Sequence, residues 1–178
     1  MIAEHVKEID RKYKEWEEKR LSNPKLPDAF DIVEAEIMNN SQFEKILYNS
    51  VFLAIYSMFE HEFTEICRLC QKEENYQSGP KNYLAGSKKY IMEVVGVNLD
   101  SLNDAWNKIQ DYRRLRNSIA HRAGEVSDQE TIRFVNSTDG VSINRLVTID
   151  SIDFLKDFID LTVNYLVGVC DEIVSQKN

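Results

Sequence analysis

SLNDAWNKIQDYRRLRNSIAHRAG, residues 101–124, holds a helix start, an apolar stripe, a cluster of cations and a helix stop in one run. Leu102, Ala105, Trp106, Ile109 and Tyr112 recur at spacings of three and four, the period that lines one face of an α-helix with core-facing side chains. SLND is a start signal, and Gly124 tolerates the left-handed turn that ends many helices. Four of the nine arginines fall between positions 113 and 122, although the net charge of the chain is −8. Continuing the stripe past Tyr112 lands on Arg116, where a core residue is expected. A guanidinium keeps its charge, so inside a bundle Arg116 requires a carboxylate, a bound anion or a water-filled cleft.

Upstream, SQFE at Ser41 is a capping box that opens a long helix, with Phe52, Ile55, Tyr56, Phe59, Phe63, Ile66, Cys67 and Cys70 at helical spacing before the polar run QKEENYQSGP. Further back, Ile2, Val6, Ile9, Tyr13 and Trp16 form a narrow stripe on a charged helix that Pro24 and Pro27 stop, and residues 28–38 fit a second short helix. Residues 81–99 read as a helix flanked by the loops LAGS and VGVNLD. Downstream, SDQE suggests a short helix, and NSTDGVSINRLVTID reads as two strands around an Asp139–Gly140 turn. Asp150 then caps a final helix to about residue 174, with Ile152, Phe154, Leu155, Phe158, Ile159, Val163 and Leu166 as its apolar surface. No repeat or low-complexity segment interrupts this pattern. The expected architecture is one all-α domain over residues 1–178, a helical bundle with a small β-hairpin before the C-terminal helix.

Composition narrows the function classes. At 178 residues, 43% hydrophobic and 29% charged, the chain is long enough for one well-buried core and too ordered in pattern for a disordered protein. No stretch reaches the roughly 18 apolar residues of a membrane span, and the charged start MIAEHVKEIDRKYKEWEEKR lacks the apolar region of a signal peptide, so a cytoplasmic protein is expected. Cys67, Cys70 and Cys170 lie in apolar helical patterns and are expected to pack in the core. CRLC has no second pair and only three histidines to join it, so no metal or cofactor is expected. A pI near 5.0 opposes sequence-blind binding along long nucleic acid and still permits a small basic site.

Such a site is concentrated at residues 113–122. Glu60 interrupts the apolar stretch YSMFEHEF and is the expected internal partner of Arg116. Asn117 and His121 are four apart and share a face, where an amide can hold one imidazole nitrogen. Arg113 and Arg114 lie near that face, and His121 falls in the last turn, where the helix dipole favours imidazolium. On a straight helix Arg116 and His121 are roughly 140° apart in azimuth. Bringing them together therefore calls for a distorted helix end or a second chain.

LRNSIAH resembles the signature of the HEPN superfamily: an arginine, usually a polar residue after it, and a histidine four to six residues further on. Arg116, Asn117 and His121 fill those places. The surrounding AWNKIQDYRRLRNSIAHRAG, the upstream SMFEHEF and the late hairpin are similar to compact single-domain HEPN proteins over most of the chain. The resemblance implies an up-and-down helical bundle, a homodimer and, in active members, metal-independent cleavage of RNA by toxins or phage-defence effectors. It assigns Arg116, Asn117 and His121 to catalysis. Glu60 would support Arg116, and Arg113, Arg114 and Arg122 would guide the RNA. Because one chain offers one suitable histidine, a twofold dimer would supply separate acid and base. Two other functions fit the residues: a silent HEPN module that binds a nucleotide or partner protein, and a toxin whose cleft an antitoxin or other regulatory protein covers.

Overall fold

Phe52, Tyr56, Phe59 and Phe63 place four aromatic rings along one side of a helix, and all four are buried. The computed structural model describes residues 2–23, 29–70, 83–122 and 124–177. In it the four rings belong to α2, Ala29–Leu69, one continuous helix. Ser41 is therefore an interior position and SQFE starts nothing; residues 28–38 are not a separate short helix but, from Ala29, the first part of α2. The stretches containing Pro24 and Pro27 and the run at 71–80 lie outside the described residues, as do the side chains of Ile2, Val6, Ile9 and Tyr13.

The chain divides into two compact units, residues 1–46 and 47–178. The first contains α1, Ile2–Ser22, whose surface carries the helical ion pairs Arg11–Glu15 at 2.6 Å and Arg20–Glu17 at 3.6 Å. Such exposed pairs contribute a few tenths of a kcal/mol each.

The second unit contains the rest of α2 and, in order, α3 (Tyr83–Tyr90), α4 (Asn103–His121), α5 (Gln129–Asn136), β1 (Val141–Ile143), β2 (Val147–Ile149) and α6 (Ile152–Lys177). It is a helical bundle with an antiparallel hairpin before its last helix. LAGS lies inside α3 rather than ahead of it. The helix continues as a wider π-type turn, Ile91–Val95, and ends at Gly96, whose φ of 79° is left-handed. A 3₁₀ turn, Asp100–Leu102, leads into α4. Ser101 does not cap α4, because its hydroxyl donates to Glu172 Oε1 of α6 at 2.6 Å.

The core is an aromatic cluster shared by three helices. The Phe158 ring of α6 lies 5.0 Å from Phe52 and 4.5 Å from Tyr112 of α4, and stacks on Tyr56 at 5.9 Å. Tyr165 meets Phe63 edge-on at 5.6 Å. Rings in such tilted and edge-on contacts add roughly 0.5–1.5 kcal/mol per pair to their burial. On α6 the buried row is Phe154, Leu155, Phe158, Thr162, Tyr165 and Val169. Ile152, Ile159 and Val163, expected on that surface, are exposed instead. Cys67 is buried, with its thiol 3.5 Å from Ser87 O; Cys70 is half-buried and Cys170 is exposed, which corrects the core position expected for it.

The hairpin differs from expectation in its turn. Val141 pairs with Ile149 and Ile143 with Val147, so the strands reverse at residues 144–146. Asp139–Gly140 instead joins α5 to β1: Ser137 and Thr138 still donate to carbonyls of α5, and Gly140 O accepts from Asp150 N at 2.8 Å. Gly140 has φ 78°, and a Cβ there would stand 2.8 Å from Ser151 Cβ. Asp150 does not cap α6 either. Its carboxylate accepts from Ser142 and Thr148, and Ser151 Oγ takes the Asp153 amide at 3.0 Å. Among the described residues no helix is long and apolar enough to cross a membrane.

Candidate functional site

The site is built on the C-terminal half of α4. Ile109, Tyr112, Leu115 and Ser118 are its buried residues, so beyond Ile109 the inward face advances by threes and passes Arg116 by one position. Arg116 is half-buried at the border of that face, not at a core position. Its guanidinium stands over the Tyr56 ring of α2, 5.8 Å from the ring centre. Its Nη1 lies 3.1 Å from His121 Nε2 and 3.2 Å from Asn117 Oδ1.

Arg116, Asn117 and His121 are thus brought together by a single chain. The flexible arginine stem spans the azimuth that separates the two positions on the helix, so the meeting needs no second subunit. A guanidinium has only donors, and its contact with the imidazole is a hydrogen bond when Nε2 carries the lone pair and Nδ1 the proton. His121 and Asn117 are exposed, so the free edge of this trio faces solvent. The helix stops here because the amides of Arg122 and Gly124 both donate to Ser118 O, at 3.1 and 2.9 Å. Gly124 has φ 90° and lies against the hairpin, where a Cβ would be 3.2 Å from Val147 O.

Glu60 makes no hydrogen bond or ion pair with Arg116, contrary to the expected pairing, because Nη1 is directed to Asn117 and His121. The carboxyl still feels both guanidiniums. Burial pushes its pKa up, while the charges of Arg116 and Arg113 pull it down. Beneath them, the Tyr56 hydroxyl and Arg116 Nε are buried without hydrogen-bond partners among the described residues. Burial, reinforced by the Glu60 charge, pushes the Tyr56 phenol far up and keeps it neutral.

The other cations separate by surroundings. Arg113 donates to Gln110 Oε1 at 3.3 Å. Arg114 lies between Asp111, which it contacts closely, and Glu130 Oε2 at 3.2 Å, so its charge already ties α5 to α4. Arg122 donates to Ser127 Oγ at 2.9 Å and lines an open groove of about 490 Å³ with Glu125, Val126, Ser127 and Arg145.

Sequence patterning does not single out Tyr56, because an aromatic residue at helical spacing reads as core, or Arg145, because the pattern puts it within a strand. A turn at residues 144–146 would have drawn attention to the second. Among the described residues no group of three or more His, Cys, Asp or Glu side chains is placed to hold a metal ion. No family model, curated protein or solved structure matches the chain.

Proposed function

We propose that the chain is a HEPN-type endoribonuclease that acts as a homodimer and cleaves RNA without a metal ion. The observation that carries this proposal is the contact of Arg116 Nη1 with His121 Nε2 at 3.1 Å at a solvent-facing helix end. A bundle with a hairpin before its last helix agrees with it at the level of architecture.

The chemistry follows from what these groups can do. His121 Nε2, once Arg116 turns its guanidinium from the imidazole to the phosphate, accepts the proton of a ribose 2′-hydroxyl, and O2′ attacks the neighbouring phosphorus. Arg116 is close enough to the imidazole to stabilise charge on the phosphate oxygens as five bonds crowd the phosphorus. The P–O5′ bond then breaks, and O5′ takes a proton from an imidazolium. The products are a 2′,3′-cyclic phosphate and a 5′-hydroxyl, and DNA is inert for want of the 2′-hydroxyl. One imidazole cannot be base and acid at the same instant, so the second is assigned to His121 of a twofold partner. Asn117 orients the guanidinium through its Oδ1.

A silent binding module is the second function to weigh. The net charge of −8 and the engagement of Arg114 by two carboxylates favour it, since both reduce attraction for a polyanion. One experiment separates the two. Purified protein is incubated with single-stranded RNA and tRNA in EDTA, and His121→Ala alongside it. Cleavage to cyclic phosphate ends that disappears in the variant is the expected result. Cleavage that persists in the variant rejects the site, and binding without turnover selects the module. If the chain is a toxin restrained by a regulatory protein, its expression alone arrests growth and His121→Ala relieves the arrest.

A further inference from the structure

We infer that the groove between Arg122 and Arg145 is a phosphodiester subsite that holds the backbone of a single RNA strand beside the bond to be cut. This rests on the ribonuclease proposal and extends it to a residue outside the His121 motif. Arg122 directly follows His121, so one lining residue of the groove sits at the helix end that carries the trio. Arg145 comes from the turn of the hairpin, far away in sequence, and lines the same groove together with Ser127.

The two cations are held in register by the backbone. Val147 N donates to Gly124 O at 2.8 Å, which fixes the residues after α4 to the strand that follows the turn. Asn49 of α2 grips that strand from the same side: its Oδ1 accepts from Ile149 N at 3.0 Å and its Nδ2 reaches Val147 O at 3.5 Å. The turn carrying Arg145 is therefore anchored at its base. Gly124 permits the close approach, since any side chain there would meet Leu146 and Val147.

The charge balance of the groove is unusual for this chain. Two guanidiniums stand against one carboxylate, Glu125, and neither Arg122 nor Arg145 makes an ion pair among the described residues. Arg122 holds only the Ser127 hydroxyl, which leaves donors on both guanidiniums and on Ser127 for oxygen acceptors. Phosphodiester oxygens match this set: they are anionic, they accept only, and arginine binds them with two parallel N–H groups. The groove is proposed to hold phosphate oxygens and not base edges, and among the described residues that line it none is an aromatic on which a base could stack. Its contribution is therefore the same for every sequence and falls with salt.

The test measures binding apart from cutting. Anisotropy of a labelled single-stranded oligodeoxynucleotide, which has no 2′-hydroxyl to react, is titrated with wild type, Arg145→Glu and Arg145→Lys over a range of salt. Arg145 is exposed on a turn, and thermal melting of each variant checks that the fold is kept. Arg145→Glu is expected to weaken binding about tenfold for all sequences and to lower the slope of log affinity against log salt by about one. Arg145→Lys should recover most of the loss. Unchanged affinity and slope in Arg145→Glu overturn the subsite, as does a wild-type chain that binds no oligonucleotide. The RNA cleavage assay with His121→Ala distinguishes the two failures. If that variant is inactive while Arg145→Glu binds normally, the subsite alone falls; if it still cuts, the catalytic assignment falls.

Discussion

Glu60 sits where burial and two cations pull its proton in opposite directions, and burial wins. A carboxyl whose folded pKa is raised above its unfolded value of 4.5 holds its proton more tightly in the folded chain, so stability declines as pH rises through the window above 4.5. Glu60→Gln removes that titration. It is expected to raise the urea midpoint at pH 7 and to lose the advantage near pH 4, as measured by unfolding at the two pH values; an unchanged or lower midpoint at pH 7 would show that attraction to Arg116 and Arg113 outweighs burial. At this scale the sequence disclosed residue types better than contacts. The spacing of Arg116, Asn117 and His121 is visible in LRNSIAH, but azimuth alone separates two of them that the length of an arginine side chain joins. The role of Glu60 was half legible: its neighbourhood was right, its direct pairing was not. Tyr56 was hidden by its own suitability for the core.

At the scale of elements, Gly124 couples the end of α4 to the hairpin. Gly124→Ala combines a left-handed backbone with a Cβ that meets β2 backbone atoms, and it is expected to cost about 1–3 kcal/mol in urea unfolding, with the groove at Arg122 and Arg145 loosened. A loss below about half a kcal/mol would mean the junction relaxes freely. Helix and strand types are readable from periodicity, whereas the helix starts are not. Ser101 and Asp150 look like caps, but their oxygens bond to Glu172 and to the hydroxyls of Ser142 and Thr148. Ser41 looks like a cap and lies inside α2. A local start signal cannot report a partner such as Glu172, far along the chain from Ser101. The two apolar rows of α6 pose the same problem, since hydrophobic type does not decide whether the row with Phe158 or the row with Val163 turns inward. Aromatic volume decides it, because Phe154, Phe158 and Tyr165 fill the space that Phe52, Phe63 and Tyr112 leave.

For the molecule as a whole, the proposed mechanism requires two chains, although the Arg116–His121 contact does not. Sedimentation or light scattering is expected to give twice the 20.8 kDa chain mass. Equimolar exchange of wild type with His121→Ala should cut activity per wild-type chain to about half, because mixed dimers lack one imidazole. A monomer with full activity would end the two-chain mechanism. Bundle class was legible because amphipathic periods persist over many residues; the division at residue 46 was not, since one continuous helix, α2, runs through it.

The grip of Gly124 O and the Asn49 amide on β2 has a consequence for the behaviour of the protein in concentrated solution. A two-stranded ribbon ordinarily leaves a bare rim of amides and carbonyls that recruits extended segments from other molecules into growing stacks. Here the Val147 amide and carbonyl and the Ile149 amide are already taken by atoms of the same chain. That rim offers an extended segment of another molecule three fewer pairing groups for as long as the native fold holds.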